Sequence, residues 1–275
     1  MNRPAIDFDR AIALVTGAGS GIGRATAHAL AAMGTRVLSA DIDQALAENT
    51  AAECAERSPA GHAAYGLDVA DRDAVDRLAA EIERRHGALT VLVNNAGVGM
   101  TGHFSDMTAD DWSFIRSINL DGVVNCCSAF TPPMLAARRG QVVNLSSGLA
   151  FIPTATESAY GATKAAVLAL SQCLRAEWAG HGVGVTAICP GFINTPIASS
   201  ARFTGGQESV TDRAKMVKGF SRARPPEKVA DAIIDAIATN RAMVPVGFES
   251  VLGWYAHRLM PIALAQTLAR LTARR

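Results

Sequence analysis

The sequence predicts a doubly wound α/β fold: a seven-stranded, mostly parallel sheet with helices on both faces, then a C-terminal helical extension. Three observations carry this. Short β-rich runs alternate with Ala- and Leu-rich helical stretches along most of the chain. The strand runs are apolar for most of their length, the pattern of strands buried on both faces. No internal repeat or low-complexity linker divides the 275 residues, so one domain over 1–249 and an amphipathic extension over 250–275 are expected.

In chain order, AIALVT (11–16) reads as the first strand, followed by a helical stretch near 22–33. TRVLSA (35–40) and HAAYGL (62–67) read as the next two strands, each followed by a helix, near 43–57 and 71–86. LTVLVNN (89–95) precedes a long helical stretch at 108–130, and QVVNLSS (141–147) precedes another at 158–179. VGVTAIC (183–189), a helix at 227–239 and AMVPV (242–246) complete the alternation. Two segments break it. Residues 194–226 are too long for an ordinary connection and read as a substrate lid. The segment 250–275 has four arginines and no acid; Pro261 starts its last helix, where Leu264, Leu268 and Leu271 share a face.

Composition narrows the functional classes. A formal charge of +1 excludes a broad nucleic-acid footprint. No run of 18 apolar residues offers a transmembrane segment, and MNRPAIDFDR lacks the apolar core of a signal peptide. Five cysteines without a CxxC read as reduced thiols, not as a disulfide framework or a zinc site. A soluble, cytoplasmic protein is expected.

Immediately after the first strand comes TGAGSGIG, whose four glycines include Gly17, Gly21 and Gly23. It departs from the GxGxxG spacing, yet glycine there tolerates positive φ and lets a pyrophosphate approach the backbone beside Ser20 and Ile22. The helix starting near Ile22 turns its free N–H groups and positive dipole end toward such an anion. The other reading is a glycine-rich turn that binds nothing; its place at a strand-to-helix junction of a Rossmann-like pattern favours binding. Twenty residues beyond Gly21 stands Asp41, an acid that accepts from ribose hydroxyls and repels a 2′-phosphate, which favours NAD over NADP. As a plain helix cap, Asp43 is the better placed of the two.

Tyr160 and Lys164 lie one helical turn apart, so they project from the same face. An ammonium beside a phenol favours the phenolate and lowers its pKa. Such a pair occurs by chance on surface helices. Here Ser147 closes a strand thirteen residues before Tyr160, at the carboxyl end where open α/β sheets bind ligands.

Together, TGAGSGIG, NNAG (94–97), Asn119 in SINLDGV, Ser147, YxxxK and PGFINTP (190–196) resemble the short-chain dehydrogenase/reductase family in order and spacing over about residues 10–246. The resemblance implies that Tyr160 is the general acid/base, that Ser147 holds the substrate oxygen, and that Lys164 binds the nicotinamide ribose and depresses the Tyr160 pKa. It places Asn119 on a proton-relay water, although a buried Asn there is also read as structural. It puts Asp68 and Val69 at the adenine, with helix capping the other reading of Asp68. Asn95, Ala96 and Gly97 would lie along the cofactor with Pro190 and Gly191, and Ile193 and Thr195 would fix the carboxamide. No metal is required by direct hydride transfer.

Around the substrate the same resemblance places Met100, Leu149, Phe151, Phe192 and Ile197, together with Val98, His103, Phe104, Ile152 and Phe203. This mostly apolar inventory has no charged group set to seize a carboxylate or phosphate, so a hydrophobic secondary alcohol or ketone is the expected small-molecule substrate. The tail either caps the pocket, packs on the body or a second subunit, or rests on a membrane surface. Packing is preferred, because the helix is short and modestly charged. A homodimer or homotetramer follows by analogy, through a small-residue face at Ala165, Ala169 and Cys173. Two other functions stay open: an NADPH-dependent ketoreductase of 3-oxoacyl or polyketide-type substrates, and a non-catalytic NAD-binding sensor.

Overall fold

The computed structural model describes residues 6–152, 154–205, 214 and 217–260. Nine strands form: β1 (Ile12–Thr16), β2 (Arg36–Asp41), β3 (Ala63–Gly66), β4 (Val91–Asn94), β5 (Met100–Thr101), β6 (Gly140–Leu145), β7 (Val183–Pro190), β8 (Arg202–Phe203) and β9 (Met243–Val246). Seven of them make one sheet in the order β3-β2-β1-β4-β6-β7-β9. Every neighbouring pair in it is parallel, as Leu14↔Leu38 and Leu14↔Leu92 illustrate for the central strand. The apolar runs follow from double coverage. Ala13 and Val15 of β1 point into one buried layer and Leu14 into the other.

The first layer is closed by α1 (Gly21–Ala32), α2 (Gln44–Ala55) and, later in the chain, the helix Glu227–Thr239. The second is closed by α3 (Arg72–His86) and the long helices that follow β4 and β6. Local chemistry starts these helices. Asp43 caps α2 by accepting from the Ala45 and Leu46 amides at 3.0 and 3.3 Å, and Asp71 caps α3 through Ala74 N at 2.9 Å.

Three departures from the expected elements matter for function. The stretch read as one helix over 108–130 is α4 (Ala109–Arg116), a π-turn (Ser117–Asp121) and α5 (Gly122–Ala136). Thr108 and Asp111 open α4 with a reciprocal capping box. Helix α5 runs past Pro132 and Pro133 because Phe130 and Met134, one turn apart, are both buried against the sheet. Second, β5 and β8 pair as a separate two-stranded ribbon, too short to leave a periodic signal.

Third, after α6 (Ser158–Trp178), α7 (Ile197–Ser200) and α8 (Glu227–Thr239), the last described helix is α9 (Phe248–Leu259), which crosses the expected boundary at residue 250. Ser250 and Gly253 are buried in the body, and Trp254 packs on Phe151 with ring centroids 5.1 Å apart. Phe248, Leu252, Tyr255 and Leu259 line the opposite, exposed side. Pro261, Leu264, Leu268 and Leu271 lie outside the described residues, as does the middle of the 194–226 segment. No helix among the described residues is long and apolar enough to cross a membrane.

Candidate active site

The strand order reverses between β1 and β4, and a cleft of about 770 Å³ opens there along the carboxyl ends of the strands. One end is built by the glycine turn. Gly17 takes φ +62° and Gly21 φ +50°, conformations that glycine adopts without strain. A Cβ on Gly17 would stand 2.9 Å from Ala96 Cα, and one on Gly23 would overlap the Gly17 carbonyl. The turn therefore lies directly on the end of β4, with the amino end of α1 exposed to the cleft. Thr16 and Asn95 lock this contact: Thr16 Oγ1 accepts from Asn95 N at 3.1 Å and Ala96 N at 3.0 Å, and Asn95 Nδ2 donates to Thr16 O and Gly17 O.

Asp41, at the tip of β2, accepts from Gly19 N at 2.8 Å through Oδ2 and from Asp43 N at 3.1 Å through Oδ1. Asp43, not Asp41, caps α2, so Asp41 remains on the cleft wall beside Ile42. Asp68 and Val69 line the same end. Asp68 Oδ1 accepts from Ala70 N at 2.9 Å in a local turn, while the cap of α3 is Asp71.

Ser147, Tyr160 and Lys164 converge at the middle of the cleft. Ser147 stands just past the tip of β6, where its Oγ accepts from Leu149 N at 3.1 Å. Tyr160 and Lys164 rise from the first turns of α6, with the Tyr160 phenol near enough to Ser147 for that hydroxyl to favour its charged form. Lys164 Nζ donates to Leu145 O at 2.9 Å and lies 5.8 Å from the Tyr160 ring centroid. The backbone beneath is pinned by Ser146 Oγ, which donates to Lys164 O at 2.8 Å.

The expected depression of the Tyr160 pKa is reversed here. Burial pushes the phenol up to about 12; the Ser147 hydroxyl opposes this, and the Glu157 charge adds to it. Lys164 is itself desolvated, and burial lowers its ammonium to about 8. Removal from water outweighs the neighbour effect that sequence spacing alone suggests.

Asn119 is fully buried in the π-turn, behind the cleft wall. Its Oδ1 accepts from Val98 N at 2.8 Å and its Nδ2 donates to Val98 O at 2.9 Å, clamping the chain that leaves NNAG. It still neighbours Lys164 across Gly97, where a Cβ would lie 3.1 Å from Asn119 Oδ1 and 3.2 Å from Lys164 Nζ.

Ser20, Gly21, Ile22, Asn95, Ala96, Gly97, Pro190, Gly191, Ile193 and Thr195 all line the cleft, whereas Gly23 acts from behind through packing. Of the residues expected around a substrate, Met100, Leu149, Phe192 and Ile197 line the cleft, with Val98 and Ile152. Phe151 does not: it is buried against Trp254 of α9, and the adjacent Ile152 takes its place on the wall. His103, Phe104 and Phe203 also lie off the cleft lining.

Two acids on the cleft escaped sequence reasoning. Glu157 precedes Tyr160 by three residues and bonds Thr101 of β5. Helical spacing to Tyr160 was the available signal. Glu249 of α9 accepts from Phe192 N at 2.8 Å and pairs with Arg224 Nη1 at 2.8 Å, so it holds the PGFINTP loop in place. Nothing local in the sequence marks that contact, made across 57 residues.

Comparison with known proteins agrees with this architecture. The family model for short chain dehydrogenases matches residues 11–204. The chain is 41% identical over 273 residues to the probable oxidoreductase EphD of Mycobacterium tuberculosis (strain ATCC 25618 / H37Rv), covering 97% of this chain and 46% of that protein. It therefore spans about half the length of that relative. It is 33% identical over 223 residues to the 3-oxoacyl-[acyl-carrier-protein] reductase FabG of Thermotoga maritima, covering 81% of this chain and 88% of the other. Among solved structures, a short chain dehydrogenase/reductase from Burkholderia phymatum in complex with NAD superposes with a TM-score of 0.82 at 27% identity, over 92% of this chain and 94% of that one. The glycine turn, the Ser–Tyr–Lys cluster on the β6–α6 side and the match over most of the chain lead to one assignment: this protein belongs to the short-chain dehydrogenase/reductase family.

Proposed function

We propose that this oxidoreductase interconverts an apolar secondary alcohol and its ketone, with NAD as the hydride carrier and Tyr160 as the group that moves the proton. The observation that carries the reading is the convergence of Ser147, Tyr160 and Lys164 on one cleft with the Gly17–Ile22 turn. That turn fits a dinucleotide, because its glycines leave no Cβ in the path of a pyrophosphate and it opens at the amino end of α1. When bound there, the nicotinamide ring supplies the hydride donor or acceptor.

The chain's own residues do the rest. Asp41 accepts from the ribose hydroxyls and repels a 2′-phosphate, with Ile42 rather than a cation beside it on the wall. Asp68 and Val69 flank the adenine end, Asn95 to Gly97 run along the middle, and Pro190, Gly191, Ile193 and Thr195 hold the nicotinamide end. With its pKa raised to about 12, Tyr160 keeps its proton at neutral pH, ready to give it to a ketone oxygen as that oxygen gains charge. Ser147 donates to the same oxygen, as an oxyanion site would. In the oxidative direction Tyr160 must first lose its proton, and Lys164 at its side favours that loss when charged. Asn119 holds the Val98 backbone and so fixes the wall against which Lys164 stands. Met100, Leu149, Ile152 and Ile197 give the substrate an apolar bed.

Tyr160→Phe tests the assignment. Turnover of secondary alcohols with NAD is expected to vanish while NADH still binds; retained turnover refutes the proton-transfer role. Similarity to the Thermotoga maritima reductase supports a second reading, reduction of 3-oxoacyl substrates, against which the position of Asp41 weighs. We infer a homo-oligomer from the exposed small residues Ala169 and Cys173 on α6, which allow close helix approach.

A further inference from the structure

Glu157 stands at the amino end of α6, where an acidic side chain ordinarily folds back to cap the first free amides. It makes no such bond. Instead it turns to the neighbouring β5 segment, and its Oε1 accepts from Thr101 Oγ1 at 2.7 Å. Its backbone is equally fixed: Glu157 pairs with Gly102 in an isolated bridge, Gly102 N donates to Thr156 O at 2.9 Å, and Gly161 N donates to Glu157 O at 2.7 Å. The residue lines the cleft, half-buried.

Among the described residues no Lys, Arg or His pairs with this carboxyl, and Thr101 is its one side-chain partner. Its second oxygen is not a sealed, unpartnered atom and faces the cleft that Glu157 lines, where it is open to accept from a donor that enters. Burial raises the Glu157 carboxyl to about 7, with the Thr101 bond opposing the rise. Shaping the β5 ribbon does not account for the acid, because a glutamine would accept from Thr101 equally well.

We propose that Glu157 determines specificity by binding a second hydrogen-bond donor, a hydroxyl or an ammonium, on a carbon next to the reacting carbinol. This rests on the reading of Tyr160 as the group at that carbinol oxygen. Glu157 immediately precedes α6, three residues before Tyr160, and both line the same cleft, with the Glu157 charge near enough to act on the Tyr160 phenol. A substrate oxygen held at Tyr160 thus places its neighbouring substituent at Glu157, while the apolar remainder lies on Met100, Leu149 and Ile197. The substrate class becomes a vicinal diol, hydroxyketone or amino alcohol with an apolar body.

The test compares 1-phenylpropan-1-ol, 1-phenylpropane-1,2-diol and 2-amino-1-phenylpropan-1-ol on wild type, Glu157→Gln and Tyr160→Phe. Binding is read by thermal shift in saturating NADH and turnover by NADH formation from NAD. Wild type is expected to favour the diol or the amino alcohol over the lone alcohol by about 10- to 100-fold, the range of a hydrogen bond to a charged group. In Glu157→Gln that ratio falls to near one. A preference for the amino alcohol identifies the ammonium as the donor, and one for the diol identifies the hydroxyl. Equal binding of all three probes by wild type, no binding of the bifunctional probes, or an unchanged ratio in Glu157→Gln overturns the proposal. Tyr160→Phe keeps the two readings apart: it is expected to lose turnover yet keep the binding preference. If it keeps turnover, the proton-transfer reading fails while the Glu157 comparison still stands.

Discussion

Lys164 is where the stability of the fold and the proposed chemistry oppose each other. It is only 4% exposed, and its ammonium is held by the Leu145 carbonyl oxygen at 2.9 Å. Burial lowers its pKa from 10.5 to about 8. Below pH 8 both folded and unfolded chains carry the proton, so folding bears the full cost of burying the charge. The fall from 10.5 to about 8 corresponds to about 3 kcal/mol. Between pH 8 and 10.5 the unfolded chain holds a proton that the folded chain has lost, so stability rises with pH across that window. Lys164→Met removes the cost and leaves the Leu145 carbonyl without this donor, a loss of about 1–2 kcal/mol. The variant should therefore be inactive yet more stable at pH 7 by about 1–2 kcal/mol, a rise in Tm of about 2–8 °C for a chain of this size. By pH 10.5 the advantage is gone, and the variant falls below wild type by the missing hydrogen bond. Tyr160, raised to about 12, keeps its proton in the folded protein at both pH values of the assay. Urea unfolding of the two proteins at pH 7 and pH 10, followed by tryptophan fluorescence, measures it. A variant less stable than wild type at pH 7, or a difference that does not change with pH, refutes the reasoning.

Three further outcomes follow from the same geometry. Gly23→Ala gains helix propensity yet drives its Cβ into the Gly17 carbonyl, so the variant should lose about 1–3 kcal/mol and much of its dinucleotide affinity. Gly180→Ala, whose Cβ meets nothing within 4 Å, should be close to neutral; urea unfolding of both variants checks this, and equal behaviour of the two refutes the packing argument. Wild type should bind NADH more tightly than NADPH in a fluorescence titration, and Asp41→Ala should narrow the gap; tighter NADPH binding by wild type removes the Asp41 argument. Full-length protein should stay in the supernatant with phosphatidylglycerol vesicles, because protein rather than lipid is expected to cover the apolar side of α9; cosedimentation would show the opposite.

The fold was legible because parallel strands buried on both faces write themselves as apolar runs, and Asp43 and Asp71 mark helix starts by residue type alone. Strand ends shifted by a residue or two, since hydrogen bonding rather than hydropathy ends a strand. The cleft was legible where residues lie close in sequence, as in the glycine turn and the Ser147–Lys164 segment. It was not legible where distant segments meet. Phe151 reads as a wall residue by its place after Ser147, yet Trp254 from the tail draws it away from the cleft. Glu157 finds Thr101 across 56 residues, through a strand of two residues that no periodicity reveals. The sign of the Tyr160 shift was misread for a related reason: spacing shows which charges are near, while burial depends on the whole fold.

The tail helix illustrates what that kind of blindness hides. Read as an extension, the segment from 250 onward is expected chiefly to pack on the body or a second subunit. In the structure Ser250 Oγ donates to the Cys189 carbonyl at 2.7 Å at the tip of β7, and Glu249 accepts from Phe192 N while pairing with Arg224. Arg224 in turn accepts through its carbonyl from Asn194 N at 2.8 Å and bridges Ile193. The loop expected at the nicotinamide end is thus held between α9 on one side and the backbone at Arg224 on the other. Burial would raise the Glu249 carboxyl, but the amide and Arg224 hydrogen bonds together hold it low, so the clamp stays charged at neutral pH. A loop whose backbone is held by side chains of a packed helix loses little entropy when a ligand arrives, and pre-organisation of this kind favours precise positioning. The start of α9 therefore packs with the sheet, and Ser250, the first residue of the expected extension, holds the tip of β7.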